Sequence, residues 1–218
     1  MIGRIMKNVY LSQTNYLHGP ENKNMYLPYA VGCLWAYASK DEYVSDNYTL
    51  KEILVLREDI QKVLDRIESP SVFGFSCYVW NEEYQLELSR QVKKKFPNCL
   101  IIFGGPQVPD EPKQYLNDYS HIDVCIRGEG EEPFKQILLG KELHTIKGVH
   151  TKSLQLGHSE RIEDLDDIPS PYTNGIFDNL IEKHTDIDWH VMLESNRGCP
   201  FRCTFCDWGA LTLSLIHI

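Results

Sequence analysis

The sequence lacks any long hydrophobic run, since none of its apolar segments approaches the roughly 20 residues that a membrane-spanning helix requires. Residues 1–10 contain two basic side chains but neither an apolar stretch nor a small-residue cleavage site, so they do not resemble a signal peptide. From these two absences we expect a cytoplasmic protein that does not enter a membrane.

Positive charge is also scarce. The chain of 218 residues has 22 Lys and Arg against 31 Asp and Glu, which gives a net charge of −9. Its one basic run is Lys93–Lys95. Because an acidic protein does not attract phosphate backbones or anionic lipids, we expect no nucleic-acid partner and no membrane partner.

A disulfide framework is a third feature that the sequence does not support. It has seven cysteines, an odd number, and no export signal. Four of them stand singly in apolar surroundings and are expected to be small buried residues: Cys33, Cys77, Cys99 and Cys125. The other three, Cys199, Cys203 and Cys206, lie within eight residues of one another.

What the sequence does contain is a regular alternation of strand-like and helix-like patterns. Short apolar runs occur at 9–11, 53–56, 72–76, 100–103 and 122–126. Helical patterns separate them, beginning after Pro28, at Ile60, after Asn81 and near Pro133. This alternation predicts an α/β fold with a doubly wound parallel sheet, a Rossmann-like domain.

Ligands of such sheets bind at the carboxyl ends of the strands, so the loops that follow the strands are the candidate site. Three of these loops are rich in glycine and polar residues, and they supply these candidate contacts: Ser76, Tyr78, Val79, Trp80, Asn81, Gly104, Gly105, Pro106, Gly128, Glu129 and Gly130. The alternatives are tight turns and helix caps, or core packing for Tyr78 and Trp80.

The three clustered cysteines have the spacing C-x3-C-x2-C and follow an apolar run at 189–193. Three thiolates can hold three irons of a four-iron cluster and leave the fourth iron open to a ligand. A structural zinc site is the alternative, but zinc needs four ligands and the fourth would have to be a histidine such as His184 or His190.

This motif resembles the signature of the radical S-adenosylmethionine (radical SAM) superfamily, with Phe205 at the aromatic position before the third cysteine. The resemblance implies a 4Fe-4S cluster on Cys199, Cys203 and Cys206. It also implies that S-adenosylmethionine chelates the fourth iron, that Phe205 contacts its adenosine, and that reductive cleavage yields a 5′-deoxyadenosyl radical. An external electron donor, such as flavodoxin or ferredoxin, is implied as well.

The upstream part resembles the cobalamin-binding domain of one branch of that superfamily. The matching segments are 74–81, 101–107, 127–131 and the linker-like 168–172. The resemblance implies a cobalamin cofactor on the candidate contacts given above. It also implies radical methyl transfer or rearrangement on an unknown small-molecule or peptide substrate. The alternative is a non-catalytic cobalamin-binding or structural zinc-binding module.

A histidine that ligates cobalt is not found in its usual D-x-H-x-x-G form. Among the eight histidines only His190 follows an aspartate, Asp188, by two positions, and Leu193 stands where the glycine is needed. The resemblance therefore implies base-off cobalamin without a protein histidine on the cobalt.

We predict three regions: a cobalamin-binding-like domain at 1–140, a linker with short strands at 141–188, and the start of a radical SAM domain at 189–218. A (β/α) barrel typically needs roughly 250 residues, so we expect only its first strand and cluster loop here, and no turnover by this chain alone. Residues 213–218 read like a translated sequencing adapter, and we hypothesise that native sequence stops near Thr212.

Overall fold

The structure, a computed structural model, describes residues 6–17, 21, 23–199, 201, 203–205 and 214–215, the last two by their backbone alone. The strands are β1 Lys7–Asn15, β2 Asn24–Tyr26, β3 Tyr48–Leu56, β4 Pro70–Ser76, β5 Leu100–Gly104, β6 Val124–Ile126, β7 Val149–Thr151, β8 Leu154–Gln155, β9 Asp188–His190, β10 Asn196–Arg197 and β11 Ser214–Leu215. The helices are α1 Tyr29–Ser39, α2 Glu42–Asn47, α3 Ile60–Arg66, α4 Glu82–Lys95, α5 Lys113–Asp118, α6 Glu131–Leu138 and α7 Asp178–Lys183, with short 3-10 turns at Leu143–Thr145 and Leu165–Asp167.

Seven strands form one sheet in the order β3-β1-β4-β5-β6-β7-β8. The pairs from β3 to β6 are parallel, and the last two pairs are antiparallel. The parallel part reverses its winding between β1 and β4, as in other doubly wound sheets. The predicted α/β fold with a mostly parallel, Rossmann-like sheet is thus confirmed.

Each face of the sheet carries its own core because side chains alternate along every strand. In β4, Phe73 and Phe75 point into the core under α3, α4 and α5, whereas Val72 belongs to the core under α1, α6 and α7. In β5, Ile101 and Phe103 lie on the first of these faces. The apolar runs expected to form buried strands therefore do so, with helices on both sides.

The stretch at 141–188, expected to be a linker, packs closely on the sheet. It supplies the antiparallel strands β7 and β8, and Phe177 and Leu180 of the α7 region enter the core that α1 and α6 cover. The following strand, β9, pairs in parallel with β2 in a separate two-stranded sheet. The domain boundaries at residues 140 and 188, and the start of a barrel, stay predictions.

The helices between the strands are short. The longest in the described part of the chain is α4, with 14 residues, Glu82 and Glu83 in its first turn and Lys93–Lys95 in its last, which suits the helix dipole. No helix in that part has both the length and the apolar character needed to cross a membrane.

Candidate functional site

A cavity of about 430 Å³ opens at the carboxyl ends of β1, β4, β5 and β6, on the side of α1 and α6. This place is the point where the winding of the sheet reverses, and ligands of doubly wound sheets bind there. Eight of the candidate contacts line the cavity: Ser76, Tyr78, Trp80, Gly104, Gly105, Gly128, Glu129 and Gly130. The three loops therefore meet as the sequence analysis expects, while their contact with a cofactor stays a prediction.

Three other candidate contacts do not line the cavity. Val79 has 77% of its surface exposed, between two aromatic neighbours that do face the cavity. Pro106 is exposed as well. Asn81 is completely buried and supports the loop from behind.

The side chain of Asn81 holds the loop after β4 in shape. Its Oδ1 accepts a hydrogen bond from the Tyr78 backbone N–H at 2.8 Å, and its Nδ2 donates to the carbonyls of Thr14 and Ser76 at 3.0 and 3.1 Å. Asn81 does stand at the N-cap of α4, but its side chain makes no capping bond to the helix. The side chain does not cap α4 because these buried backbone groups take up its hydrogen-bonding capacity.

Two glycines of the cavity loops adopt left-handed backbone conformations. Gly105 has φ of +100°, and a Cβ atom there would lie 2.6 Å from the Cys77 carbonyl oxygen. Gly128 has φ of +87°, and its Cβ would meet the Ser159 side chain at 2.5 Å. Both positions require glycine, for backbone conformation and for space.

The cavity also reaches the sheet itself, because β4 carries a glycine where the strand faces the cavity. A Cβ atom on Gly74 would lie 2.8 Å from Cδ2 of Leu11 and 3.8 Å from Cε2 of Phe134. Its neighbours Phe73 and Phe75 stack on each other on the opposite face, with ring centroids 4.4 Å apart.

Two aromatic rings stand beside the cavity. Tyr78 and Trp80 stack with centroids 4.5 Å apart and an interplanar angle of 12°. Burial raises the pKa of the Tyr78 hydroxyl, so it is neutral at physiological pH. Trp80 remains 45% exposed, which leaves aromatic surface for a ligand.

Sequence reasoning missed several cavity residues. Gln13 lies at the end of β1, and Tyr29 and Cys33 come from the first turns of α1. Burial raises the pKa of the Cys33 thiol to about 12, so this side chain is a neutral wall of the cavity. The position of Gln13 just after the first apolar run was an available signal, since that strand end borders the reversal point.

Arg197 is another cavity residue that the sequence analysis did not single out. Its guanidinium contacts Glu129 at 3.2 Å, Glu131 at 2.6 Å and Glu194 at 2.9 Å. The side chains of Arg197 and Glu131 are 14% and 6% exposed. Burial lowers the pKa of Arg197, but the carboxylates of Glu131 and Glu194 outweigh it and raise the pKa above its ordinary value. No local pattern could reveal this cluster, because Glu131 and Arg197 are 66 positions apart.

The cysteine motif lies beyond this cluster. Cys199 is half-buried, Cys203 is exposed and Phe205 is 90% exposed, while Cys206 lies outside the described residues. Among the residues that are described, no group of three or more His, Cys, Asp or Glu side chains is placed to hold a metal ion. His190, one suggested zinc ligand, has its Nε2 3.0 Å from Oδ1 of Asn24.

The remaining cysteines behave as expected. Cys33, Cys77, Cys99 and Cys125 are all buried. Burial raises the pKa of Cys99 and Cys125 to about 12, and that of Cys77 also lies well above its ordinary value. They are small core residues with unreactive thiols.

The residues present fit a large ligand with planar and extended parts. Glycine backbone lines much of the cavity. A Cβ atom on Gly130 would lie 2.9 Å from Leu34, so the cavity has its present shape because these positions carry no side chain. The stacked rings and the charged groups both line the cavity. No described residue that lines the cavity is a histidine.

Comparison with known proteins agrees with this geometry. Residues 37–138 match the B12 binding domain family. Over 207 residues, 90% of its length, the chain is 34% identical to the cobalamin-dependent radical SAM methyltransferase TokK of Streptomyces tokunonensis, of which it covers 30%. It is 33% identical over 204 residues, 88% of the chain, to the 2-(S-pantetheinyl)-carbapenam-3-carboxylate methyltransferase of Streptantibioticus cattleyicolor, of which it also covers 30%.

A third relative is an uncharacterized methyltransferase of Pyrococcus horikoshii. It is 29% identical over 158 residues, which are 68% of this chain and 34% of the relative. The chain thus spans about a third of the length of the curated relatives that it matches.

Proposed function

The chain fits a fragment of a cobalamin-binding radical SAM family protein, and from this we propose that it forms the cobalamin domain and the cluster-binding segment of a methyltransferase. In the complete enzyme, a 4Fe-4S cluster would cleave S-adenosylmethionine reductively. The reaction would be a radical methyl transfer, or a related rearrangement, on a substrate that this chain does not identify.

The observation that carries the proposal is the cavity where the winding of the sheet reverses. Three loops that sequence reasoning selects independently of one another line it together. The lining also includes Met192, Glu194 and Arg197, which lead directly into Cys199. A ligand in this cavity would therefore lie next to the start of the cysteine motif.

Different residues of the chain would contact different parts of the cobalamin. The glycine loops at 104–105 and 128–130 would let the ligand approach the backbone and its N–H groups. Tyr78 and Trp80 would present flat aromatic surface to the planar corrin ring.

The iron–sulfur site would use Cys199, Cys203 and Cys206, with Phe205 beside the adenosine of S-adenosylmethionine. Thiolates are the usual ligands of such clusters, and three of them leave one iron free for a further ligand. When bound, the cluster with S-adenosylmethionine would supply a radical, and cobalamin would carry the methyl group. An external electron donor such as flavodoxin or ferredoxin would be required.

We further propose that cobalamin binds base-off with no protein histidine on cobalt. The support is that His190 lies in β9 beside Asn24 rather than among the described residues that line the cavity. Neutral wall residues such as Cys33 and Tyr78 favour an uncharged part of the ligand near them.

Two measurements on the 218-residue chain test the proposal. The first is titration with hydroxocobalamin, followed by its visible spectrum, with a Gly74→Ala variant as the matched control for the cavity. The second is iron and acid-labile sulfide after anaerobic reconstitution, with Cys203→Ala as control. We expect saturable cobalamin binding that Gly74→Ala weakens, and about four irons and four sulfides per chain that Cys203→Ala loses.

Failure would take different forms for the two cofactors. Wild-type protein that leaves the spectrum of hydroxocobalamin unchanged would contradict the cobalamin assignment. Stoichiometric zinc held through the same cysteines would contradict the iron–sulfur assignment and favour a structural zinc module instead.

A further inference from the structure

Arg197 connects two parts of the molecule that the sequence keeps far apart. On one side its guanidinium contacts Glu129 and Glu131, which belong to the loop between β6 and α6 that lines the cavity. On the other side its own backbone lies two residues before Cys199. A displacement of the cavity loop would therefore be transmitted to the start of the cysteine motif through one side chain.

The contacts are built for a fixed geometry. Arginine presents its donors in a rigid planar fork, and here three of its nitrogens, Nε, Nη1 and Nη2, each face a different carboxylate. Glu129 is itself held by the Ile162 backbone N–H at 2.9 Å and by Arg161 at 3.2 Å. The cluster is shielded from solvent, since the side chains of Arg197 and Glu129 are 14% and 15% exposed.

Only Gly198 separates Arg197 from Cys199 along the chain. Gly198 follows in a left-handed conformation, with φ of +88°, and turns the chain directly into Cys199. Glu194, the third partner, belongs to the same segment and fixes it from within. Arg197 therefore joins the cavity loop, through Glu129 and Glu131, to the segment that leads into Cys199.

We propose that Arg197 is a positioning residue that couples occupation of the cavity to the arrangement of the cysteine motif. The coupling deepens the function proposed above and rests on it, because the cavity ligand is taken to be cobalamin. A ligand that settles against the loop at 128–131 would fix Glu129 and Glu131. These would hold Arg197, and with it the entry to the cluster site. Coupling between two sites is reciprocal, so a formed cluster would in turn favour the bound ligand.

The test measures how fast iodoacetamide alkylates Cys199 in the iron-free 218-residue chain, read by peptide mass spectrometry. Each variant is measured without cobalamin and at a hydroxocobalamin concentration that saturates its own visible spectrum. The variants are Arg197→Gln, Arg197→Lys and Glu131→Gln. The matched control is Arg161→Gln, which removes the other arginine on Glu129 and leaves Arg197 and the cysteine motif unchanged.

We expect cobalamin-free Arg197→Gln and Glu131→Gln to alkylate at Cys199 on the order of tenfold faster than wild type, because their segment opens more often. The alkylation rate of Arg197→Lys should lie between that of wild type and that of Arg197→Gln, since lysine keeps the charge but lacks the planar fork of donors. Arg161→Gln should stay within about twofold of wild type. Cobalamin should slow alkylation of wild-type Cys199 by on the order of tenfold and leave the rate in Arg197→Gln unchanged.

Equal rates at Cys199 in cobalamin-free wild type, Arg197→Gln and Glu131→Gln would overturn the proposal. So would a parallel rise at Cys99, buried in the opposite core, in both variants, because general unfolding would then explain the result. A cobalamin response in Arg197→Gln equal to that of wild type would overturn the coupling. Failure of wild type to bind cobalamin would instead contradict the proposed function, and the cobalamin-free rates would still decide whether Arg197 positions the motif.

Discussion

The cavity loops and the segment that carries the cysteines differ in how the rest of the fold holds them. The cavity loops follow directly from buried strands, and backbone and side-chain hydrogen bonds fix them, as with Asn81. The cysteine segment, residues 194–199 with 201 and 203–205, exposes large apolar side chains: Phe201 is 69% and Phe205 is 90% exposed. Its one dense set of contacts is the Arg197 cluster.

This difference indicates that the two halves of the site obtain their geometry in different ways. The sheet imposes the shape of the cavity loops, so substitutions in these loops should cost stability and ligand binding together. The cysteine segment has few contacts in the described part of the fold, so substitutions there should change metal content and leave stability nearly unchanged. Four predictions separate these two behaviours.

The largest effect is expected for Gly105→Ala. Its backbone conformation is left-handed, and the added methyl would overlap the backbone of Cys77, so the free energy of unfolding should fall by roughly 3 kcal/mol. Urea unfolding measures this fall. Gly140→Ala is the control, because Gly140 has φ of +73° but no atom within 4 Å of its Cβ position, and it should cost only about 1 kcal/mol. Equal costs would show that crowding at the cavity is unimportant.

Asn81→Ala should have the next largest effect. It leaves the Tyr78 N–H and the carbonyls of Thr14 and Ser76 without this partner in a buried place, which costs roughly 2 kcal/mol. Urea unfolding and a hydroxocobalamin titration should show losses of stability and affinity together. Unchanged stability would mean that the loop after β4 does not depend on this side chain.

Alkaline pH should weaken the fold by about 1 kcal/mol between pH 8 and pH 9. The cause is the buried thiols of Cys33, Cys99 and Cys125, whose pKa is raised from 9 to about 12 in the folded chain. A raised pKa means that their stabilising effect is complete below the unfolded pKa near 9 and is lost as the pH rises toward 12. Urea unfolding at pH 7, 8 and 9 tests this, and Cys99→Val should reduce the slope.

The smallest effect on stability is expected for Cys203→Ser. The side chain is exposed, so the free energy of unfolding should change by less than about 0.5 kcal/mol. In the same protein the iron content after reconstitution should collapse. A fall in stability comparable to that of Asn81→Ala would show that the cysteine segment is part of the folded core.

The sequence predicts the frame of this molecule well, for physical reasons. Buried parallel strands are continuous apolar runs, and the runs around Val9, Phe73 and Ile101 therefore predict buried strands. Short elements such as α2 and α5 were not predicted, since helices of six residues carry too little periodicity to be recognised.

The candidate site could be predicted only where it is local. The loops after β4, β5 and β6 are each continuous in sequence, so their glycines can be recognised from the sequence alone. The direction of a single side chain could not be predicted in this way. Val79 points outward because it stands between two stacked rings. The Arg197 cluster depends on tertiary contacts across 66 positions, which charge alone does not specify.

The Phe-Gly-Phe sequence of β4 gives this strand two faces of opposite character. One is a stack of rings, and the other is bare at Gly74, where the cavity meets the sheet. Gly74 has no left-handed backbone, and the nearest atom to an added methyl is Cδ2 at the end of the buried Leu11 side chain, which can shift at less cost than backbone. Alanine there would fill the floor of the cavity while the aromatic face keeps the strand in place. Gly74 is therefore a position where folding and ligand capture can be genetically separated.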